Sequence, residues 1–451
     1  VSSLYYALGV VIFFGSILIS IGLHELGHMI PAKAFGGKVT QYFIGFGPTV
    51  WSRRRGETEY GVKAIPLGGY VKIVGMLPPG AEQLGTVTYD EQGNQVTKIR
   101  KSNTGLFTQL ISDARAAEWE LIGPEDEPRL FYKMPWWKKV VVMAGGPSVN
   151  IAIAFFLFWG VFAFYGNPAD REIDAGQPAI SHVSDCVIPY TEQRTTCEPG
   201  DPVSPAAQAG LERGDVITSF NGTAISSYDQ LSELIRANAD GEAVIGYTRD
   251  GTAAEATVHT LIQSRPDSDG SGMVEVGFLG IQPTTHLVTG GPLYTTVQMG
   301  YTAEQTVEAV IRLPQRVWGV GKAIIGLQDR DEDSPVSIVG GSRLAGETVS
   351  LEGFPVQQKI VYLLMLIGGF NFFIGAFNFI PLLPLDGGHI ASALWEAVRR
   401  GLARLRGRPD PGHVDAARLL PVAYVMASFM LAMSVVLIVG DFVVPLHVPI
   451  G

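Results

Sequence analysis

The residues best suited to chemistry are His24, Glu25 and His28, in the run His24-Glu25-Leu26-Gly27-His28. On a helix, side chains four apart lie on one face about one turn apart, so both imidazoles reach a single metal ion. Glu25 falls on the adjacent face, near enough to take a proton from water on that ion. This spacing is the pattern of metal-assisted hydrolysis, with zinc (Zn2+) as the metal. A catalytic zinc usually holds three protein ligands, so the run is one short. Asp386 can supply it. It is the only acid between Lys359 and Glu396, and it lies in Asn378-Phe379-Ile380-Pro381-Leu382-Leu383-Pro384-Leu385-Asp386-Gly387-Gly388-His389. The two prolines break a helix and free its carbonyls, and Gly387-Gly388 permit a sharp turn. A helix cap is the plainer use of Asp386. His389 reads as a surface hydrogen-bonding residue rather than a ligand.

The elements that must bring these residues together show in the distribution of charge. Of 451 residues, 47% are hydrophobic and 17% charged, against roughly 25% charged in a soluble domain. That deficit argues against a disordered or fully soluble chain. The net charge of −10 offers no basic surface for nucleic acid. Two cysteines make neither a disulfide scaffold nor a four-thiolate zinc site. Residues 1–23, 140–169, 360–385 and 419–440 contain no Asp, Glu, Lys or Arg. Each exceeds the ~20 residues a helix needs to cross a bilayer, and lipid obliges each to be helical. The first stretch has no basic start and no small-residue cleavage site, so it reads as a retained span rather than a signal peptide. Val1 fits either an alternative start codon or a missing first residue. If the first helix runs on to about Phe35, the histidines lie roughly 10–15 Å inside its cytoplasmic end. Ionisable groups at that depth are functional by default.

Orientation follows from the basic residues flanking the spans. Lys33, Lys38, Arg53, Arg54, Arg55, Lys63, Lys138 and Lys139 follow the first span, and Arg399, Arg400, Arg404, Arg406 and Arg408 follow the third. Both segments are expected in the cytoplasm. The acidic connection 165–358 and both termini are expected outside. Cys186 and Cys197 fall in that outer region, where disulfides are permitted, and are predicted to pair.

With these pieces in place, the sequence resembles the site-2 protease family of intramembrane zinc metalloproteases, most closely the bacterial regulator of sigma-E protease type. The resemblance rests on His24-Glu25-Leu26-Gly27-His28 and Leu385-Asp386-Gly387. Gly45-Phe46-Gly47-Pro48, Pro66-Leu67-Gly68-Gly69-Tyr70-Val71-Lys72 and Ala144-Gly145-Gly146-Pro147-Ser148-Val149-Asn150 also match. It implies that His24, His28 and Asp386 bind zinc and that Glu25 activates water. It implies further that Asn378 holds the substrate backbone or supports the oxyanion, although an interhelical hydrogen bond would explain Asn378 equally well. Residues 64–74, with Gly68 and Gly69, look like the family's membrane-associated β-hairpin, whose edge pairs with an unwound substrate strand. An ordinary cytoplasmic hairpin is the alternative.

In the outer region, Ser204-Pro205-Ala206-Ala207-Gln208-Ala209-Gly210-Leu211-Glu212-Arg213-Gly214-Asp215-Val216-Ile217 leads to an Asn221-Gly222 hairpin turn. A helix is predicted over 228–237 with Leu231, Leu234 and Ile235 inward, then strands around 243–247 and 256–261. This resembles one PDZ domain over about 178–283, a module that binds peptide ends or strands by β-augmentation. It would capture a trimmed substrate or exclude bulky ectodomains. Residues 303–327 have apolar residues at helical spacing, for the outer membrane face or for packing on the inserted domain. Residues 76–135 read as a polar loop with some secondary structure and no chemistry.

The expected fold is a polytopic α-helical membrane protein with about four transmembrane helices, an inserted extracytoplasmic α+β PDZ domain and a membrane-associated β-hairpin. Its parts are 1–36 (first transmembrane helix), 37–137 (cytoplasmic loop with the hairpin), 138–168 (second helix), 169–285 (PDZ domain), 286–358 (linker with an amphipathic helix), 359–392 (third helix with the Asp386 motif), 393–417 (cytoplasmic loop) and 418–451 (fourth helix and tail). The implied activity is zinc-dependent endoproteolysis of single-span membrane proteins, such as anti-sigma factors, in regulated intramembrane proteolysis in a bacterial cytoplasmic membrane. The active site would lie near the cytoplasmic side. One alternative is a catalytically inactive scaffold recruiting partners through the PDZ domain, for which Glu25 would have no use. Another is a metal transporter, for which an internal repeat is expected and none is visible.

Overall fold

The computed structural model describes residues 2–78, 86–89, 95–98, 111, 114–115, 122–174, 176–189, 196–266, 273–331, 333–352 and 354–447. The chain divides into two compact units, one made of residues 1–161 and 291–451 and the other of residues 162–290.

The first unit is helical. Helix α1 (Ser2–Ala34) carries Pro31 only in its last turn, so the helix survives it. It is followed by strands β1 (Val39–Arg55) and β2 (Thr58–Ile73), a short pair β3 (Thr86–Tyr89) and β4 (Gln95–Lys98), and helix α2 (Trp136–Phe164). Four apolar helical segments, Ser3–Ala34, Trp136–Phe164, Val356–Asn378 and Ala416–Val443, are long enough to cross a membrane.

β1 and β2 form more than a hairpin. Ile44 pairs with Gly69 and also with Val62, and Val62 pairs in turn with Trp51. Both strands therefore bend back, and four segments pair in the order 69–73, 39–44, 58–62, 51–55. The bends sit at register shifts around Phe46 and Thr49, where Gly45 (φ 93°) and Gly47 (φ 83°) adopt the left-handed backbone that glycine tolerates. Segment 69–73 is one edge of this sheet. At its base, Val39, Ile73, Phe131 and Met134 pack with Met29, Ala32, Val142 and Met143 in one core. Phe131 thus gives a packing role to the end of the segment 76–135; residues 79–85, 90–94, 99–110, 112–113 and 116–121 of that segment lie outside the described residues.

The second unit is a small strand-and-helix module. β5 (Arg171–Ile173), β6 (Ile180–Val183), α3 (Pro205–Gln208), β7 (Val216–Phe220), β8 (Thr223–Ala224), α4 (Tyr228–Ala237), β9 (Glu242–Arg249), β10 (Thr252–His259), β11 (Leu261–Pro266), β12 (Met273–Phe278), β13 (Ile281–Pro283) and β14 (Thr285–Leu287) follow in order. A four-stranded sheet runs β10-β9-β7-β8. β13 pairs with β6 and β14 with β5, so the unit's end closes on its beginning. Asn221 (φ 49°) and Gly222 (φ 75°) form the expected turn. A second turn, Asp250-Gly251, has the same signs of φ and makes β9 and β10 longer than the sequence reading allowed. Ser227 caps α4, and Leu231 and Ile235 are buried under the sheet with Ile217, Ile245 and Leu279. Cys186 and Cys197 are disulfide-bonded, with Cα atoms 5.9 Å apart.

The rest of the first unit departs from the sequence reading in three places. The helix expected over 303–327 is α5 (Pro292–Ile324), beginning earlier because Gly291-Pro292 open it. Helix α6 (Ile338–Ser350) was not foreseen, because its small and polar residues give a weak apolar stripe. It packs on α1 so tightly that a Cβ on Gly9 would lie 2.4 Å from the Ala345 carbonyl oxygen. The third span is no single helix over 359–392. Helix α7 (Val356–Asn378) stops at Asn378, residues 379–385 are non-helical with a cis Leu383-Pro384 bond, and α8 (Asp386–Leu405) is a separate helix opened by Asp386. A turn at Ala416–Leu419 leads into α9 (Leu420–Val443).

Candidate metal centre and active site

His24 and His28 project from one face of α1, one turn apart, with Nε2 atoms 3.2 Å apart. Asp386 Oδ2 lies 3.3 Å from each. Among the described residues these three form the group able to hold a metal ion. All are largely shielded, with side-chain exposures of 12%, 7% and 20% for His24, His28 and Asp386.

The hydrogen bonds behind the rings decide which atoms face the centre. Asn371 Nδ2 donates to the Ile367 carbonyl oxygen at 2.9 Å, which turns its Oδ1 toward Asn150. Asn150 Nδ2 donates to that oxygen at 3.1 Å, which turns Asn150 Oδ1 toward His24 Nδ1 at 2.7 Å. An amide oxygen only accepts, so His24 carries its proton on Nδ1. His28 Nδ1 likewise donates to the Val142 carbonyl oxygen at 2.8 Å. Both Nε2 lone pairs therefore point at each other and at a carboxylate oxygen. Three electron-rich atoms at 3.2–3.3 Å repel unless a cation joins them. A tetrahedron with bonds of about 2.0–2.1 Å has edges of about 3.3–3.4 Å, so the donor set and its spacing fit zinc. Imidazoles held from behind by an amide or backbone carbonyl are the usual outer shell of such a site.

Helix α2 makes room for this arrangement. A Cβ on Gly145 would lie 1.9 Å from the Gly27 carbonyl oxygen, so α1 and α2 cross in contact there only without a side chain. A Cβ on Gly146 would lie 2.3 Å from His28 Nε2 and 2.8 Å from His24 Nε2, in the space where the imidazoles converge. The Asp386 side uses the same device. Gly387 and Gly388 are not in the left-handed region; their missing Cβ atoms let residues 379–383 fold against the start of α8, where a Cβ on Gly387 would lie 2.1 Å from the Ile380 carbonyl oxygen.

Glu25 faces the edge of the sheet. A Cβ on Gly69 would lie 3.0 Å from Glu25 Cγ, and the Val71 backbone N–H hydrogen-bonds the Glu25 carboxylate. The Tyr42 hydroxyl donates to the Gly22 carbonyl oxygen at 2.8 Å, tying the sheet to α1 within the turn that precedes His24 and Glu25. An edge strand thus runs beside the acid that flanks the histidine pair.

The sequence profile of peptidase family M50 matches residues 12–409. The chain belongs to that family. Zinc metalloprotease Rip1 of Mycolicibacterium smegmatis is 33% identical over 457 residues, covering 98% of this chain and 99% of the relative. Zinc metalloprotease Rip1 of Mycobacterium tuberculosis is 32% identical over 461 residues with the same coverage. Metalloprotease MmpA of Caulobacter vibrioides is 25% identical over 418 residues, covering 91% of this chain and 90% of the relative. Among solved structures, the PDZ domain of an SdrC-like protein of Listeria monocytogenes is similar at 18% identity. It covers 25% of this chain and 93% of that one, with a TM-score of 0.17.

In this M50 peptidase the structure brings together His24, His28 and Asp386, with Glu25 and Gly69 alongside. Gly68 (φ 114°) sits at the bend before the edge segment, against the Phe46 ring. Asn378 stands apart: its Nδ2 donates to the Ile374 carbonyl oxygen at 3.1 Å, a bond within α7 rather than between helices. His389, read as a surface residue, is half-buried in the first turn of α8 and outside the ligand group. Sequence reasoning assigned no role to Gly146, Asn150 or Asn371. The signal for the last two was available, since each is an uncharged polar residue inside an otherwise apolar stretch.

Proposed function

We propose that this chain cleaves peptide bonds inside the membrane-spanning segments of other proteins. It is a multi-pass membrane protein and a zinc metalloendopeptidase. The observation that carries the reading is the trio of lone pairs from His24, His28 and Asp386, converging at 3.2–3.3 Å beside Glu25 on an apolar helix of spanning length.

His24, His28 and Asp386 would hold a zinc ion, which would supply polarisation of a scissile carbonyl and a nucleophilic water near neutral pH. Glu25 takes the proton that water releases on attack, holds it on its carboxylate, and passes it to the departing amide nitrogen. Asn150 and Val142 keep both imidazoles in the tautomer that leaves Nε2 free. The 69–73 segment is a sheet edge next to Glu25, so a substrate strand adds to the sheet with its backbone beside the acid. Such a substrate must leave the helical state first, because in a helix its amides are already bonded and screened. Gly69, without a Cβ, lets this edge approach Ile21 and Glu25 of α1 closely. Asn378, at the end of α7, is the candidate to hold a substrate carbonyl once it releases Ile374.

The basic flanks of the spans support a cytoplasmic position for the sheet and for residues 393–417, with residues 165–358 outside. The metal centre then lies nearer the cytoplasmic face. The inserted unit, read as a PDZ domain, meets the outer part of the substrate. Single-span proteins with helix-weakening residues are the matching class, and anti-sigma factors released after a first outer cut are the proposed members. Cleavage of a reconstituted single-span substrate by wild type and by Glu25→Gln tests the mechanism. Loss of cleavage with zinc retained is expected; equal cleavage by both proteins would overturn it.

A further inference from the structure

Two ion pairs among the described residues are buried on both sides: Arg330–Asp441 and Lys139–Glu396. The second joins α2, which backs both imidazoles through Asn150 and Val142, to α8, which carries Asp386. Lys139 Nζ, on the first turn of α2, donates to Glu396 Oε2 on α8 at 2.8 Å. Glu396 is 1% exposed and Lys139 6%. The Val414 N–H reaches the same oxygen at 3.2 Å, while Arg400 Nη1 (3.2 Å) and His413 Nδ1 (3.1 Å) face Oε1. The Tyr132 ring meets the edge of His413 at 5.4 Å. Burial raises the Glu396 carboxyl pKa, but the bonds from His413 and Lys139 outweigh it and bring it down to about 2. Glu396 is therefore ionised at neutral pH.

Asp386 lies ten residues before Glu396 on α8, about 15 Å along the axis, and Gly146 lies seven after Lys139 on α2, about 10 Å along. The helices run antiparallel: the ion pair joins them at one end, and at the other Gly146 of α2 and Asp386 of α8 both face the Nε2 atoms of His24 and His28 on α1. Between them Val142, Met143 and Ile390 belong to one apolar core. The non-helical residues 379–385 disconnect α8 from α7, so α7 cannot set the height of Asp386 through a continuous hydrogen-bond ladder.

We infer that Glu396, through its bond to Lys139, is a positioning residue for the third ligand: the pair fixes how far α8 slides along α2 and so whether Asp386 Oδ2 reaches the imidazole pair. The inference rests on the zinc reading above. Its test is zinc affinity, measured by chelator competition on the folded full chain in detergent. Loss of a supporting partner around a metal site typically costs about 10–100-fold in affinity, and Glu396→Gln and Lys139→Met should each fall in that range. The double variant should lose no more than the worse single, because both act through one bond. Asp441→Asn, which breaks the other buried pair, should leave affinity within about twofold. If Glu396→Gln does not accumulate, Glu396→Asp keeps the charge, shortens the reach and reads the same quantity. Wild-type affinity in the folded Glu396 variant, an equal loss in Asp441→Asn, or losses that multiply in the double variant would each overturn the inference. Asp386→Ala separates the two layers: full zinc retention there defeats the ligand assignment itself, whatever the Glu396 variants do.

Discussion

Gly146→Ala is the sharpest perturbation of the metal centre, because its effect on the helix and its effect on the site have opposite signs. In the interior of α2, alanine is favoured over glycine by about 1 kcal/mol of helix propensity. The added methyl carbon, however, would sit 2.3 Å from His28 Nε2, 2.7 Å from His28 Cε1 and 2.8 Å from His24 Nε2. Real Cβ contacts essentially never fall below 3.0 Å, so the His28 ring must withdraw by at least about 0.7 Å. Metal–ligand distances tolerate only about 0.2 Å. Withdrawal also breaks the 2.8 Å bond from Nδ1 to Val142, which holds the tautomer. The expected result is a folded, helical protein with less than about a hundredth of wild-type zinc affinity and no cleavage. Gly160→Ala, at a position on the same helix with nothing within 4 Å of the added carbon, is the control and should keep both. Zinc per chain by atomic emission, read beside far-UV circular dichroism, decides the matter. One zinc per chain in folded Gly146→Ala would refute the placement of the ion between the two Nε2 atoms.

Further outcomes are expected elsewhere. Asn150→Ala removes the acceptor behind His24 Nδ1 and should lower zinc affinity about 10–100-fold, while Asn150→Asp, which still accepts there, should lose much less; equal losses would contradict the tautomer argument. Reducing the Cys186–Cys197 bond, or replacing both residues by serine, reopens a loop of sequence separation 11 and should cost the inserted unit about 2–3 kcal/mol. An unchanged melting transition of that unit would speak against a stabilising bond. The bond from Arg249 holds the buried Asp215 carboxyl below the usual carboxylate range. A depressed folded-state pKa stabilises above the unfolded value of about 4 and is lost as pH falls below it. The melting temperature of wild type should therefore drop more steeply below about pH 4 than that of Asp215→Asn, and parallel pH profiles would exclude this linkage.

The parts of the molecule legible in sequence were those written in local patterns. His24, Glu25 and His28 declare their geometry through one helical turn, and α4 announces its buried face through Leu231 and Ile235. Asn221-Gly222 encodes its own turn. What escaped depends on partners distant in the chain. Gly145 and Gly146 look like helix-weakening residues until α1 lies against them, and Asn150 gains meaning only from His24 on one side and Asn371 on the other. The four-segment sheet was hidden because Phe43, Ile44 and Val62 each pair on two sides, which no single alternating strand reveals. Helix α6 was missed for a related reason. Its Gly341 and Gly346 face Phe13 and Tyr6 of α1, and its Gly340 faces Asp441 of α9, where side chains of an apolar face would not fit. The break after Asn378 was visible in Pro381 and Pro384, and a helix start at Asp386 was one reading of that residue, but the extent of the second helix to Leu405 was not.

The ligand set is drawn from both ends of the polypeptide. A ribosome that has made the first span has produced two imidazoles and an acid, yet no complete cradle. Residue 386 must be synthesised, threaded past α7 and seated before the centre can close. On the proposed ligand set, hydrolytic power is withheld until the bundle is assembled.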